Sequence, residues 1–288
     1  MPQTINTNIA SLNAQRNMNA SQSSLSSAMQ RLSSGLRVNS AKDDAAGMAI
    51  AERMNAQVRG MNVAIRNAND GISLAQTAEG ALGKTADALQ RMRELAVQSA
   101  NASNSDDDKD SLDQEFGQLA QEVQRVLNGT TFNSKNIMAA DAGPQTFQIG
   151  ANTSTNDSIT VTTVDMTVDA TITAVAGTDN AGTGRAVIDN TANAAAINTV
   201  IDNIDTALDT INSQRAIFGA TQSRFDAVIS NLQISVENQS AARARIMDAD
   251  FAAETAALSR AQILQQAGNA MIAQANQLPQ QVLKLLQG

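Results

Sequence analysis

The sequence predicts a mainly α fold: a long antiparallel helical bundle or coiled coil drawn from both chain ends, with a small β-hairpin region in the middle. Three observations carry the prediction. Apolar residues recur in alternating steps of three and four from Ala51 through Met54, Val58, Met61, Ile65, Ala68, Ile72, Ala75, Leu82, Ala86 and Leu89 to Ala96, broken by Glu79 and Arg93. The same spacing returns in Ile197, Ile201, Ile204, Leu208, Ile211, Phe218, Phe225, Ile229, Leu232 and Val236, with Arg215 and Gln222 as polar interruptions. A mean step of 3.5 residues is the coiled-coil period. Between the two runs the period falls to two. The chain's prolines are Pro2, Pro144 and Pro279, so long helices are permitted on both sides of the middle.

Composition removes most catalytic chemistry. Among 288 residues there is no His, Cys, Trp or Tyr. The usual zinc, haem and iron–sulfur ligand sets are therefore missing, as are imidazole-based acid–base relays and thiol nucleophiles. Neither an enzyme nor a cofactor or metal is expected. A net charge of −8 disfavours nucleic acid as a partner, since that needs a basic stripe. No window approaches the length of an apolar membrane span, so no membrane insertion is expected. Residues Met1 to Asn17 have neither a basic start nor an apolar stretch, so a protein leaving the cell would do so without a cleavable signal.

The elements follow in order. From Met1 to about Val38 the chain is rich in Asn, Gln, Ser and Ala, with short seams at Ile5, Ile9 and Leu12 and at Leu25, Met29, Leu32 and Leu36. They predict an amphipathic helix whose apolar face is thin. Ordering it alone would cost about 1–2 kcal/mol per residue in backbone entropy, so it is expected to fold only with partners. Ser40 then reads as a helix cap, with Asp43 as its capping-box acid and Asp44 in the first turn. The helix from there to about Ala100 would be roughly 85–90 Å long.

The Ser105–Asp108 run reads as the start of another helix, with Leu112, Phe116, Leu119, Val123 and Leu127 on one face. That helix is expected to fold back antiparallel on the long one. Phe147 and Ile149, Ile159 and Val161, and then Val168, Ala170, Ile172 and Ala174 alternate with polar residues, so Gly143 to about Ala176 reads as strands or hairpins. A turn-rich loop spans Gly177 to Gly184, and the second long helix follows. Beyond Asp250 a seam of Ala257, Ala261, Leu264, Gly268, Met271, Ala275, Leu278, Val282 and Leu285 matches the N-terminal end in its low charge and its Gln- and Ala-rich composition. Two such ends are suited to pair with each other and then pack against copies of themselves.

Several runs also resemble a known family. They are Ile5–Asn8, Arg31–Gly47, Arg66–Gly71, Ser259–Gly268 and Gln274–Gln277, and the likeness covers about the first 140 and last 95 residues. The chain is identified from them as similar to the bacterial flagellins, in a short form with little or no outer variable domain. The resemblance implies a structural subunit that polymerises into the flagellar filament, with self as its main partner. It divides the chain into a terminal coiled-coil inner-tube domain (1–40 with 251–288), a long-helix outer-tube domain (41–140 with 185–250) and a hairpin insertion (141–184). Filament assembly would then rest on Ile5, Ile9, Leu12, Leu25, Met29, Leu32, Leu36, Leu258, Leu264, Met271, Leu278, Val282 and Leu285.

The resemblance further implies unfolded export by the flagellar type III apparatus, an export chaperone on the C-terminal segment, and filament cap and hook-junction proteins as neighbours. The destination would be extracellular, in the flagellum. The run Leu89–Gln98 resembles the segment read by the flagellin-sensing Toll-like receptor of hosts. Recognition would use Gln90, Arg91, Leu95 and Gln98, with Glu115 on the neighbouring helix. Val282–Leu286 is similar to the part sensed by cytosolic inflammasome receptors. The alternative within the same resemblance is a hook–filament junction protein.

Overall fold

The computed structural model describes residues 7–286, with side chains described through residue 277. Six helices dominate: α1 (Ile9–Ser34), α2 (Ala45–Ser99), α3 (Asp106–Gly129), α4 (Ala170–Ala176), α5 (Ala194–Met247) and α6 (Phe251–Leu286). Two antiparallel pairs interrupt them, β1 (Thr131–Phe132) with β2 (Lys135–Asn136) and β3 (Pro144–Gln148) with β4 (Ser158–Thr162). The expected mainly α fold with small hairpins in the middle is what the chain adopts. It divides into two compact units, one of residues 1–56 with 237–288 and one running Gln57–Val236.

In the first unit α1 and α6 lie antiparallel. Asn8 donates through Nδ2 to the Ala275 carbonyl at 2.7 Å, Ser11 Oγ bonds Asn276 at 2.9 Å, and at the other end Arg31 meets Glu254 at 3.1 Å. Helix α1 starts where the Asn8 side chain accepts from the Ser11 N–H and stops at Gly35, which takes a left-handed φ of 70° while its N–H bonds the Arg31 carbonyl. A short antiparallel bridge follows, with Arg37 N–H on the Met247 carbonyl and Ala249 N–H on that of Gly35. Val38, Ala51 and Met247 form a small core beneath it.

The start of α2 differs from the expected Ser40 cap. Residues Ser40–Asp43 form a separate turn in which Asp43 Oδ2 accepts from Asn39 N–H, Ser40 N–H and Ser40 Oγ. The helix is capped by Asp44, whose Oδ1 accepts from Gly47 N–H at 2.8 Å. The Ser40/Asp43 pattern satisfies its donors locally, which leaves Asp44 as the residue adjoining the first free amides. A Cβ at position 47 would fall 2.4 Å from the Asp44 carboxylate, so any larger residue there would push the capping side chain out of place.

In the second unit α2 is covered by α3 and α5. Ser105 and Asp108 make the reciprocal capping box that opens α3. Antiparallel pairing of α2 with α5 follows from Arg93 on Asp205 and from Glu79 on Gln222. Phe116, Leu82, Leu89, Met92, Leu95, Leu127, Ile211, Phe218 and Phe225 are fully buried. Gly71 admits Phe225, since a Cβ there would sit 2.6 Å from the ring, and Phe147 of β3 meets the same ring edge-on at 5.7 Å.

Two further readings need correction. Ala170–Ala176 is a helix, not a strand: Asp169 caps it through the Thr171 N–H, and Ile172, Val175 and Ala176 bury one helical face. The β1–β2 hairpin was not foreseen. Its turn residues Asn133 and Ser134 both hold positive φ, the geometry of a tight two-residue hairpin turn.

Candidate assembly and recognition surfaces

The α1–α6 pair is held from within by small side chains. Ser11, Ala28, Ala261 and Ala275 are buried, and Gly268 faces Met18, whose Cβ would lie 3.6 Å from a Cβ added to the glycine. Small residues let the backbones approach closely, but they remove little apolar area from water.

The large apolar residues predicted for assembly divide accordingly. Ile9, Leu12, Met29, Leu264 and Met271 are half to two-thirds exposed, and Leu25, Leu32, Leu36 and Leu258 are half-buried. Ile5 lies outside the described residues, as do the side chains of Leu278, Val282 and Leu285. Sequence reasoning missed Phe251 and Ile263, both more than half exposed. The signal was present: Ile263 adjoins Leu264, and the two together widen the apolar stripe beyond one residue per turn. Exposed apolar residues repeated along two paired helices form a surface suited to burial against another chain.

The predicted recognition segment lies on α2 and α3. Gln90, Arg91 and Gln98 are exposed on α2, and Glu115 is exposed on α3. Arg91 joins the helices, donating through Nε to Glu115 Oε1 at 2.9 Å and through Nη1 to Glu94 Oε2 at 2.9 Å. These bonds, Glu94 first, hold the guanidinium above its ordinary pKa. Beside it Arg93 is held in a bidentate pair with Asp205. An open groove of about 500 Å³ is lined by Gln90, Arg93, Glu94, Val97 and Gln98.

Leu95 does not share this surface. It is 1% exposed and belongs to the core cluster with Met92, Phe116 and Ile204. Met92, Leu95 and Ser99 follow each other at helical spacing beside the main seam, so α2 is apolar on two sides where α3 and α5 both cover it. Among the described residues no group of three or more acidic side chains is placed to hold a metal ion, and no helix is long and apolar enough to cross a membrane.

Comparison with known proteins bears on both ends of the chain. The family model for the bacterial flagellin N-terminal helical region matches residues 5–142, and that for the C-terminal helical region matches 201–286. The flagellin of Halalkalibacterium halodurans is 45% identical over 282 residues, spanning 98% of this chain and 99% of the relative. Bacillus subtilis flagellin is 41% identical over 304 residues, again with 98% and 99% covered. A crystal structure of Bacillus cereus flagellin is 30% identical, with a TM-score of 0.47 over 58% of this chain and 88% of that one. With models matching at both ends and relatives aligned over almost their whole length, this chain belongs to the bacterial flagellin family.

Proposed function

We propose that this chain is a structural subunit that polymerises into the flagellar filament, exported unfolded through the flagellar type III apparatus and deposited outside the cell. One observation carries the reading beyond family membership: Ile9, Leu12 and Met29 on α1 and Phe251, Ile263, Leu264 and Met271 on α6 are half or more exposed in the single subunit. Within one subunit that arrangement wastes apolar area. In a helical homopolymer, where each terminal pair is surrounded by others, it becomes the main attraction.

On this reading residues 1–40 with 251–288 form the inner tube, 41–140 with 185–250 the outer tube, and 141–184 an insertion on it. An export chaperone covers the C-terminal segment before assembly, and the cap and hook-junction proteins bound the polymer. The free subunit is also a ligand of the host's flagellin-sensing Toll-like receptor through Gln90, Arg91, Gln98 and Glu115, with Leu95 supporting α2 from beneath. Electron microscopy of the purified protein under polymerising conditions tests the assembly reading. Long filaments of uniform width are expected, and a protein that stays monomeric at high concentration refutes it. Counting copies in sheared filaments separates a filament subunit, present in great excess, from a junction protein present in few.

A further inference from the structure

Oxidisable side chains are few in this chain and unevenly placed. With no Cys, Trp, Tyr or His, an oxidant that attacks sulfur or electron-rich rings meets methionine first. Met1 lies outside the described residues. Met61, Met92, Met138, Met166 and Met247 are buried, and Met18, Met48 and Met54 are half-buried. Met29 and Met271 remain, 50% and 63% exposed.

Both stand on the terminal helix pair. Met29 on α1 follows Leu25 by one turn, and Met271 on α6 follows Leu264 by two, so each continues an apolar stripe named above for assembly. The antiparallel pairing, with Asn8 at Ala275 and Arg31 at Glu254, puts Met29 toward one end of the pair and Met271 toward the other. Met92, Met138 and Met166, by contrast, belong to the core of the other unit, where an oxidant reaches them only after unfolding. Among the described residues, the thioethers most open to solvent are thus confined to the helices whose outer faces the proposed filament would bury.

We propose that Met29 and Met271 form a modification site at which hydrogen peroxide decides whether a free subunit can join the polymer, an inference that rests on the filament reading. The methionine sulfur gives up an electron pair to one peroxide oxygen. An S–O bond forms as the O–O bond breaks, and the second oxygen takes the proton of the first and leaves as water. Sulfur is oxidised by two electrons and the peroxide is reduced by two. The sulfoxide is a strong acceptor set into a stripe that attracts neighbours by being apolar, and burying it without a donor is unfavourable. In the polymer the same sulfurs are covered, so the reaction acts on free subunits and spares assembled ones.

The test treats full-length monomer with hydrogen peroxide until peptide mass spectrometry shows Met29 and Met271 as sulfoxides, then measures the critical concentration by sedimentation. A rise of about tenfold or more over the untreated chain is expected, and Met29→Leu with Met271→Leu should largely abolish it under the same treatment. Oxidised native chain that polymerises as before overturns the proposal, as does a double variant that loses assembly to peroxide just as the native chain does. Failure of the untreated native chain to polymerise is a separate result, which refutes the filament reading and takes this inference with it. Should only the double variant fail to assemble untreated, peroxide oxidation rates of the native chain in monomer and in preformed filament decide the matter. Oxidation of both residues about tenfold slower in filament is expected, and equal rates overturn the proposal.

Discussion

Replacing Leu264 and Met271 together by Gln separates what holds the subunit from what joins subunits. Both lie on the outer side of α6, 50% and 63% exposed, so the substitutions remove little from the subunit's own packing, and Gln keeps helix propensity near that of Leu and Met. Burying such a side chain completely stabilises by about 1.5–3 kcal/mol, so the exposed half of each still has about 1–1.5 kcal/mol to contribute. The pair thus accounts for about 2–3 kcal/mol per subunit added to a polymer. At 1.4 kcal/mol per tenfold change, the critical concentration for growth should rise roughly 30- to 150-fold. Burial of unpaired amides would raise it further. Sedimentation over a concentration series measures the critical concentration, and circular dichroism of the monomer checks that its unfolding transition is retained. An unchanged critical concentration would show that this face of α6 stays solvated in the polymer and would refute the assignment of Leu264 and Met271.

Other consequences follow from burial and hydrogen bonding. Leu95→Ala should lower the stability of the subunit by about 2–5 kcal/mol in denaturant unfolding because it empties core volume, whereas Arg91→Ala, removing only exposed, solvent-screened ion pairs, should leave the unfolding midpoint nearly unchanged. Arg91→Ala should nonetheless lower receptor signalling by monomer at least tenfold, and an unchanged dose–response curve would remove Arg91 from the recognition surface. The Asp43 carboxyl is held below its ordinary value of 3.8 by donation from the Ser40 and Asn39 amides and the Ser40 hydroxyl. A depressed folded pKa stabilises above the unfolded value and is lost as pH falls through the folded one. Amide exchange at Asn39 and Ser40, corrected for intrinsic rate, should therefore stay slow from neutrality down past the ordinary carboxyl value of 3.8 and quicken only at more acid pH, while Asp43→Asn should show the fast behaviour at pH 7. Limited proteolysis of monomer should trim both ends to a core of about residues 45 to 245, and the same protease should leave filament intact. Slow exchange across Leu25–Leu36 in monomer would show instead that α1 is stable before assembly.

The long helices were legible because large apolar residues at a 3.5-residue step leave no other element able to bury them. The interruptions were legible too, although only the packed chain reveals that Glu79 meets Gln222 and Arg93 meets Asp205. The misreadings occur where a local pattern has two physical solutions. Ser40 with Asp43 satisfies a capping box or a closed turn equally well, and the chain uses the turn. Val168–Ala174 alternates like a strand, but seven residues are too few to separate periods, and the signal that decides is Asp169 as a cap. Two-residue strands such as Thr131–Phe132 carry too little pattern to be seen at all. Burial of Leu95 depended on knowing that α3 and α5 cover opposite sides of α2, which is a tertiary fact.

The two units hold together by opposite means. Around Phe116, Phe218 and Phe225 large rings fill the interior, and Gly71 has given up a side chain to admit one of them, so this unit can stabilise itself by burial. Between α1 and α6 the fully buried positions among the described residues are Ser11, Ala28, Ala261 and Ala275, each contributing far less apolar area than a Leu would. Reversing the pattern, with large residues inside the pair and small ones outside, would make a sturdier subunit and a worse building block, because nothing would remain for neighbours to bury. With so thin an interior, the terminal helices are expected to gain order from whatever covers Ile9, Leu12, Ile263 and Met271. On the proposed function, coupling the order of the ends to their burial in this way would let a chain with unfolded ends pass along an export path and become rigid only among its own copies.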